Sequence, residues 1–280
     1  MNSPNPSSAD PGADDSDDPA PTWTGARYVA MGSSFAAGPG IPHRVEGSPR
    51  PAGRSTGNYA HLVARRLGLD LVDVTFSGAT TKEFVTGSAS RPAQLDAVTE
   101  GTRLVTLTGG GNDVGFAPRI LLSSLPFRLR ELPVVRRQLA SFADPQLTEE
   151  RFTQLRENLL QLAARVRQRA PRSLLLFVEY LSVLPPDATW PTGLLPADVA
   201  EWGRGIARRL SETTQQAAAE AGAIFVPAGA MSASHHAWSS DPWTRRFHLS
   251  LHNGAPYHPT AKGMAAVADL VVESLPPSPG

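Results

Sequence analysis

The sequence predicts an α/β domain in three layers, a five-stranded parallel sheet with helices on both faces. Three observations point there. Five short apolar runs read as buried strands, helical patterns with one apolar face fall between them, and a polar, Gly-studded segment follows each of the first three runs. Strands that alternate with helices pair in parallel, because each crossover helix returns the chain to the same end of the sheet and covers one face of it. The crossovers should be right-handed.

Taken in order, residues 1–24 form a low-complexity acidic tail carrying Asp10, Asp14, Asp15, Asp17 and Asp18 with no Lys or Arg. Such a segment is too polar to bury anything and is expected to be disordered. Tyr28–Met31 reads as the first strand. Tyr59, Leu62, Val63 and Leu67 mark a helix, followed by strands at Leu71–Phe76 and Leu104–Thr108. Phe152, Leu155, Leu159, Leu162 and Val166 mark the strongest helix, Leu174–Val178 the fourth strand, and Val199, Trp202, Ile206 and Leu210 a further helix before the strand Ala223–Val226. The last helix is expected to hold Pro259 in its first turn, where the missing N–H costs nothing, and to run through Met264, Val267 and Val271. Residues 25–280 then make one domain with an insertion at about 114–148. That stretch, rich in Leu, Pro and Arg, reads equally as a lid or binding loop and as short surface helices with no part in binding.

With 280 residues, 41% hydrophobic and 19% charged, the chain belongs to the globular class rather than the disordered one. Lys+Arg and Asp+Glu both number 26, yet the acidic tail leaves the remainder at +5, too mild for a nucleic-acid footprint. The absence of Cys excludes disulfides, thiol nucleophiles and Cys-ligated zinc or iron. No run approaches the roughly 18 apolar residues of a membrane span. The N-terminus shows neither a basic region nor an apolar one, so a cytoplasmic location is expected; a monomer is expected as well.

Ligands of an open parallel sheet bind beyond the carboxyl ends of its strands. There stand Gly32-Ser33-Ser34, Ser77-Gly78-Ala79-Thr80 and Gly109-Gly110-Gly111-Asn112-Asp113, with Tyr257-His258-Pro259-Thr260 ahead of the last helix. These parts suit acyl transfer. A Ser hydroxyl needs a base to become a nucleophile, and His titrates in the right range. Ser34 at a strand end would expose its hydroxyl and its own N–H. Gly78 can bring a second N–H close, and Asn112 can offer a side-chain amide. Three donors converging on one point would make an oxyanion hole, with His258 moving the proton.

These four segments, in this order, resemble the SGNH (GDSL) hydrolases, serine esterases and lipases named for Ser, Gly, Asn and His in four blocks. The matching residues here are Ser34, Gly78, Asn112 and His258, and the resemblance spans roughly residues 27–273. It implies a flavodoxin-like sheet, the SGNH hydrolase fold, and a carboxylic ester hydrolase acting on a short-chain or lipid ester, without cofactor or metal. Two departures stand out. Ser33 occupies the place of the Asp that usually precedes the nucleophile, and Ala255 that of the Asp usually three residues before the His. The His258 ring is therefore expected to lean on a backbone carbonyl, with that of Ala255 the first candidate, or on a carboxylate arriving from elsewhere, with Asp241 the first candidate. The missing carboxylate also motivates a contrasting reading, a binding protein on the same fold that has lost catalysis.

Other signals are weaker. Gly109-x-Gly111 would need a third glycine at Val114 to bind a dinucleotide, and Gly-x-Ser-x-Gly is absent. His248 and His252 lack a third ligand at useful spacing for a metal. Trp238 and Trp243 flank Asp241 and read as packing or cleft lining. Arg119, Arg128, Arg130, Arg136 and Arg137 in the insertion read either as a cap touching a lipid surface or as solvated arginines around an apolar knob.

Overall fold

The computed structural model describes residues 23–187, 195–250 and 254–276. Five strands, β1 (Arg27–Gly32), β2 (Asp70–Asp73), β3 (Thr102–Thr108), β4 (Leu174–Val178) and β5 (Ile224–Val226), form one parallel sheet in the order β2-β1-β3-β4-β5. The helices are α1 (Ser34–Ala37), α2 (Tyr59–Leu67), α3 (Thr81–Thr86), α4 (Phe116–Ser123), α5 (Phe127–Arg130), α6 (Pro133–Ala143), α7 (Pro145–Arg169), α8 (Ala197–Glu220), α9 (Ala228–Met231) and α10 (Ala261–Glu273). The acidic residues of the tail and His252 lie outside the described residues.

The strand order reverses between β1 and its two neighbours. Right-handed crossovers then send α2 to one face and α3, α7 and α8 to the other, and α10 returns to pack on α2. Covered on both sides, the central strands lose their alternation: Tyr28, Val29, Ala30 and Met31 are all inaccessible to solvent. The buried phenols of Tyr28 and Tyr59 find partners in Thr106 (2.7 Å) and Thr108 (3.1 Å), so the inward Thr residues of β3 satisfy polar groups that would otherwise cost stability.

Two boundaries differ from the sequence reading. β2 stops at Asp73 because the Asp73 carboxylate accepts both the N–H (3.0 Å) and the hydroxyl (2.7 Å) of Thr75, a local turn that competes with the ladder. Val74 and Phe76 still donate to β1 carbonyls beyond that point. The last helix is capped by Thr260, whose hydroxyl accepts the Gly263 N–H at 3.1 Å, so Pro259 sits one residue before the cap rather than in the first turn. Residues 114–148 hold α4, α5, α6 and the start of α7, whose N-cap is Asp144.

Candidate active site

The site lies at the carboxyl ends of β1 and β3, where the strand order reverses. Gly32 ends β1 with no room for a side chain: a Cβ there would stand 2.7 Å from Ala36 Cβ and 2.8 Å from the Thr108 carbonyl. Its backbone is clamped at both ends by buried Gln94, which accepts the Gly32 N–H (2.7 Å) and donates to the Gly32 carbonyl (3.0 Å). Ser33 extends the pairing to β3 through Thr108. Ser34 is the first residue of α1, a helix ended after one turn by Gly38 in the left-handed conformation. A residue opening a helix has no carbonyl behind it to take its N–H. Among the described residues the amides of Ser34 and Gly78 have no acceptor.

Gly78 occupies a tight turn closed by the Ala79 N–H on the Phe76 carbonyl, with φ of +77° at the position that favours glycine. The Asn112 side chain donates to the Ala79 carbonyl at 3.0 Å, which fixes its amide and leaves its second N–H directed elsewhere. Asp113 ties the same two loops together by accepting the Thr81 N–H (3.0 Å) and hydroxyl (2.5 Å). Burial pushes the Asp113 carboxyl upward, against the lowering effect of those bonds.

His258 Nε2 lies 2.7 Å from Ser34 Oγ, and Nδ1 lies 2.7 Å from the Pro256 carbonyl. A carbonyl can only accept, so Nδ1 carries the proton, Nε2 is bare, and the Ser34 hydroxyl donates to it. Burial drives the imidazole pKa down to about 4, with the Pro256 carbonyl pulling upward and the nearby Arg245 guanidinium pushing down. The ring is therefore neutral at neutral pH.

The His258 ring is held by a backbone carbonyl, though by neither of the two candidates named from the sequence. The Ala255 carbonyl accepts the His258 backbone N–H (3.4 Å), not its ring. Asp241 is engaged by Lys262 (2.6 Å) and His235 (3.4 Å). The ring instead meets Pro256, because Tyr257 between them adopts φ of +61° and folds the chain back. A left-handed non-Gly residue costs on the order of 1 kcal/mol. Tyr257 is held there by its hydroxyl on Ser124 at the end of α4 (2.6 Å) and by backbone bonds that pair it and His258 with Arg245. An imidazole oriented by a carbonyl removes the reason for reading the site as inactive.

Ser34, Asn112 and His258 line one cavity of about 290 Å³, just below the usual range for ligand pockets of about 300–1,000 Å³. Its remaining wall is largely apolar, with Phe116, Ile120, Leu121 and Leu122 coming from the insertion. Gly78 is not among the residues lining that wall; the carbonyl of its neighbour Ala79 holds the Asn112 amide. Trp243 stacks on His235 with ring centroids 4.1 Å apart, and Trp238 packs near Tyr257 (6.1 Å); neither lines the cavity. Among the described residues no group of three His, Asp or Glu could hold a metal ion.

Sequence reasoning missed Tyr180, one residue past Glu179 beyond β4. Its hydroxyl accepts the Gly111 N–H (3.2 Å) and shares a hydrogen bond with Ser33 Oγ (3.0 Å), joining the loop of Ser34 to the loop of Asn112. Burial pushes its pKa up to about 12, so the phenol stays protonated. Ser33 thus has a partner of its own where an Asp was expected. No motif surrounds Tyr180 that could have signalled it.

The model of the GDSL-like lipase/acylhydrolase family matches residues 30–266. Lipase 2 of Streptomyces coelicolor is 34% identical over 259 residues, spanning 89% of this chain and 85% of that protein. A lipase of Streptomyces rimosus is 29% identical over 88% of this chain and 85% of its own length. Among solved structures, phospholipase A1 from Streptomyces albidoflavus shares the fold with a TM-score of 0.75 at 23% identity, over 90% of this chain and 100% of that one. The extracellular lipase of Streptomyces rimosus gives a TM-score of 0.70 at 25% identity, over 89% of this chain and 100% of that one.

Proposed function

Since this chain belongs to the GDSL-like lipase/acylhydrolase family and is a carboxylic ester hydrolase, we propose that it works through an acyl intermediate on Ser34, with His258 as base and then acid. The observation that carries this reading is the 2.7 Å contact between Ser34 Oγ and the bare Nε2 of His258. As Oγ attacks the ester carbonyl, its proton passes to Nε2 and the carbonyl oxygen becomes an oxyanion. The Ser34 and Gly78 amides and the Asn112 side chain are its donors. When the tetrahedral adduct collapses, the bond to the alcohol oxygen breaks and Nε2 returns the proton to that oxygen. Water then repeats the sequence and releases the acid.

Among the described residues the Pro256 carbonyl is what steadies the imidazolium formed in each half-reaction, a weaker partner than a carboxylate. The ester we propose has an apolar acyl chain seated against Phe116, Ile120 and Leu121. Relatives named lipases, and a fold neighbour named a phospholipase A1, support a lipid ester over a small acetyl ester. The test is a chain-length series of p-nitrophenyl esters with a rapid-mixing burst. A burst of one nitrophenol per enzyme, absent in Ser34→Ala, with kcat/KM rising beyond acetate, is expected. A linear onset together with undiminished turnover in Ser34→Ala would overturn the assignment.

A further inference from the structure

Five of the seven large apolar side chains that stand exposed among the described residues fall within residues 121–134: Leu121, Phe127, Leu129, Leu132 and Val134. Single exposed apolar residues are ordinary, whereas a cluster marks a surface that meets something. Neither α5 nor α6 contains a buried residue, and Phe127 and Val134 are 68% and 71% exposed. Leu121 belongs both to this patch and to the wall of the cavity that holds Ser34 and His258, so the patch reaches the cavity mouth.

Its charge identifies the occupant. Residues 116–143 hold five arginines and one acidic residue, Glu131. Arg119 is engaged internally, 4.1 Å over the Trp202 ring and bonded to the Phe142 carbonyl, and Arg130 lies over Phe127. Arg128, Arg136 and Arg137 are exposed and have no carboxylate partner among the described residues. A second copy of the chain would set this positive face against itself. An anionic bilayer supplies what both halves of the patch need, phosphates for the guanidinium groups and acyl chains for the apolar side chains.

We infer that α5 and α6 dock the enzyme on an anionic phospholipid surface. Phe127, Leu129, Leu132 and Val134 enter the headgroup–acyl boundary, while Arg128, Arg136 and Arg137 face lipid phosphates. The inference deepens the hydrolase reading by naming where the ester comes from: the mouth at Leu121 opens on the bilayer rather than on bulk water. Each arginine near such a surface contributes about a fivefold gain in binding.

The experiment is sedimentation with phosphatidylcholine vesicles, with and without phosphatidylglycerol, alongside turnover of a soluble p-nitrophenyl ester. The wild type and Ser34→Ala are expected to pellet with phosphatidylglycerol-containing vesicles, and less so at high salt. The double variant Phe127→Ser/Val134→Ser should bind at least tenfold more weakly, and Arg136→Gln/Arg137→Gln should lose most of the phosphatidylglycerol preference. Both double variants should keep soluble-ester turnover, since none of the four residues lines the cavity. Wild-type binding no stronger than that of the double variants would overturn the proposal. So would a self-association abolished by Phe127→Ser, which would give the patch to a second copy. Vesicle binding by Ser34→Ala keeps the docking question separate from the catalytic one.

Discussion

Acidification is the perturbation that reads the environment of His258 most directly. Burial and Arg245 outweigh the Pro256 carbonyl and place the imidazole at about 4, against an ordinary 6.5. At 1.36 kcal/mol per pH unit, that difference corresponds to about 3 kcal/mol favouring the neutral ring. The folded pKa lies below the unfolded one. The associated stability is therefore fully present above pH 6.5 and is lost as the pH falls through about 4, because the unfolded chain binds the proton first. The assay is kcat/KM for a soluble ester as a function of pH, with thermal unfolding midpoints measured across the same window. The acid limb should fall near pH 4, and Arg245→Gln should move it upward by removing the positive charge. Replacing His258 with Gln should flatten the part of the stability profile between pH 4 and 6.5. An acid limb at 6.5 or above in the wild type would refute the argument, since it would mean that the imidazolium has a stronger partner than the Pro256 carbonyl.

Three substitutions probe the remaining geometry. Asn112→Ala removes one oxyanion donor and should lower kcat about 10²–10³-fold with little change in KM, as steady-state kinetics would record. Tyr257→Phe deletes the bond to Ser124 that holds the left-handed turn. It should cost about 1 kcal/mol, a shift of about 2–4 °C in the calorimetric midpoint, and reduce kcat because His258 is the next residue. Tyr180→Phe strands the Gly111 N–H and Ser33 Oγ and should destabilise the fold by about 1–3 kcal/mol, measured by urea titration.

How legible the molecule is from its residues depends on whether a feature is local. β1, β3 and β4 are buried on both faces, so their apolar runs mark them to within two residues. β2 is an edge strand whose Asp73 side chain caps it early, a competition that apolar patterning does not register. Ser34 and Asn112 could be read because a parallel sheet brings its strand ends together, and the Gly residues beside them mark tight turns. A carbonyl support for His258 could be expected from the missing Asp, but which carbonyl could not. It depends on Tyr257 adopting a conformation that bulky residues rarely take, and on Ser124, 133 residues away, holding it there. Asp241 had the right chemistry for that role but is drawn to Lys262, a preference that only the folded chain reveals. The insertion announced its apolar and basic character in sequence, while the separation of internally used Arg119 from outward Arg136 and Arg137 required the packing of α4 on α8.

The reaction turns on activation of Ser34 by the imidazole of His258, oriented without a carboxylate. This activation is tested most directly by incubating the protein with a fluorophosphonate, taking the intact mass and mapping the modified peptide. A single adduct on Ser34 is expected, lost in His258→Ala and retained in Asp241→Asn. An unmodified Ser34 in folded protein, or an adduct that survives His258→Ala at the same rate, would contradict it.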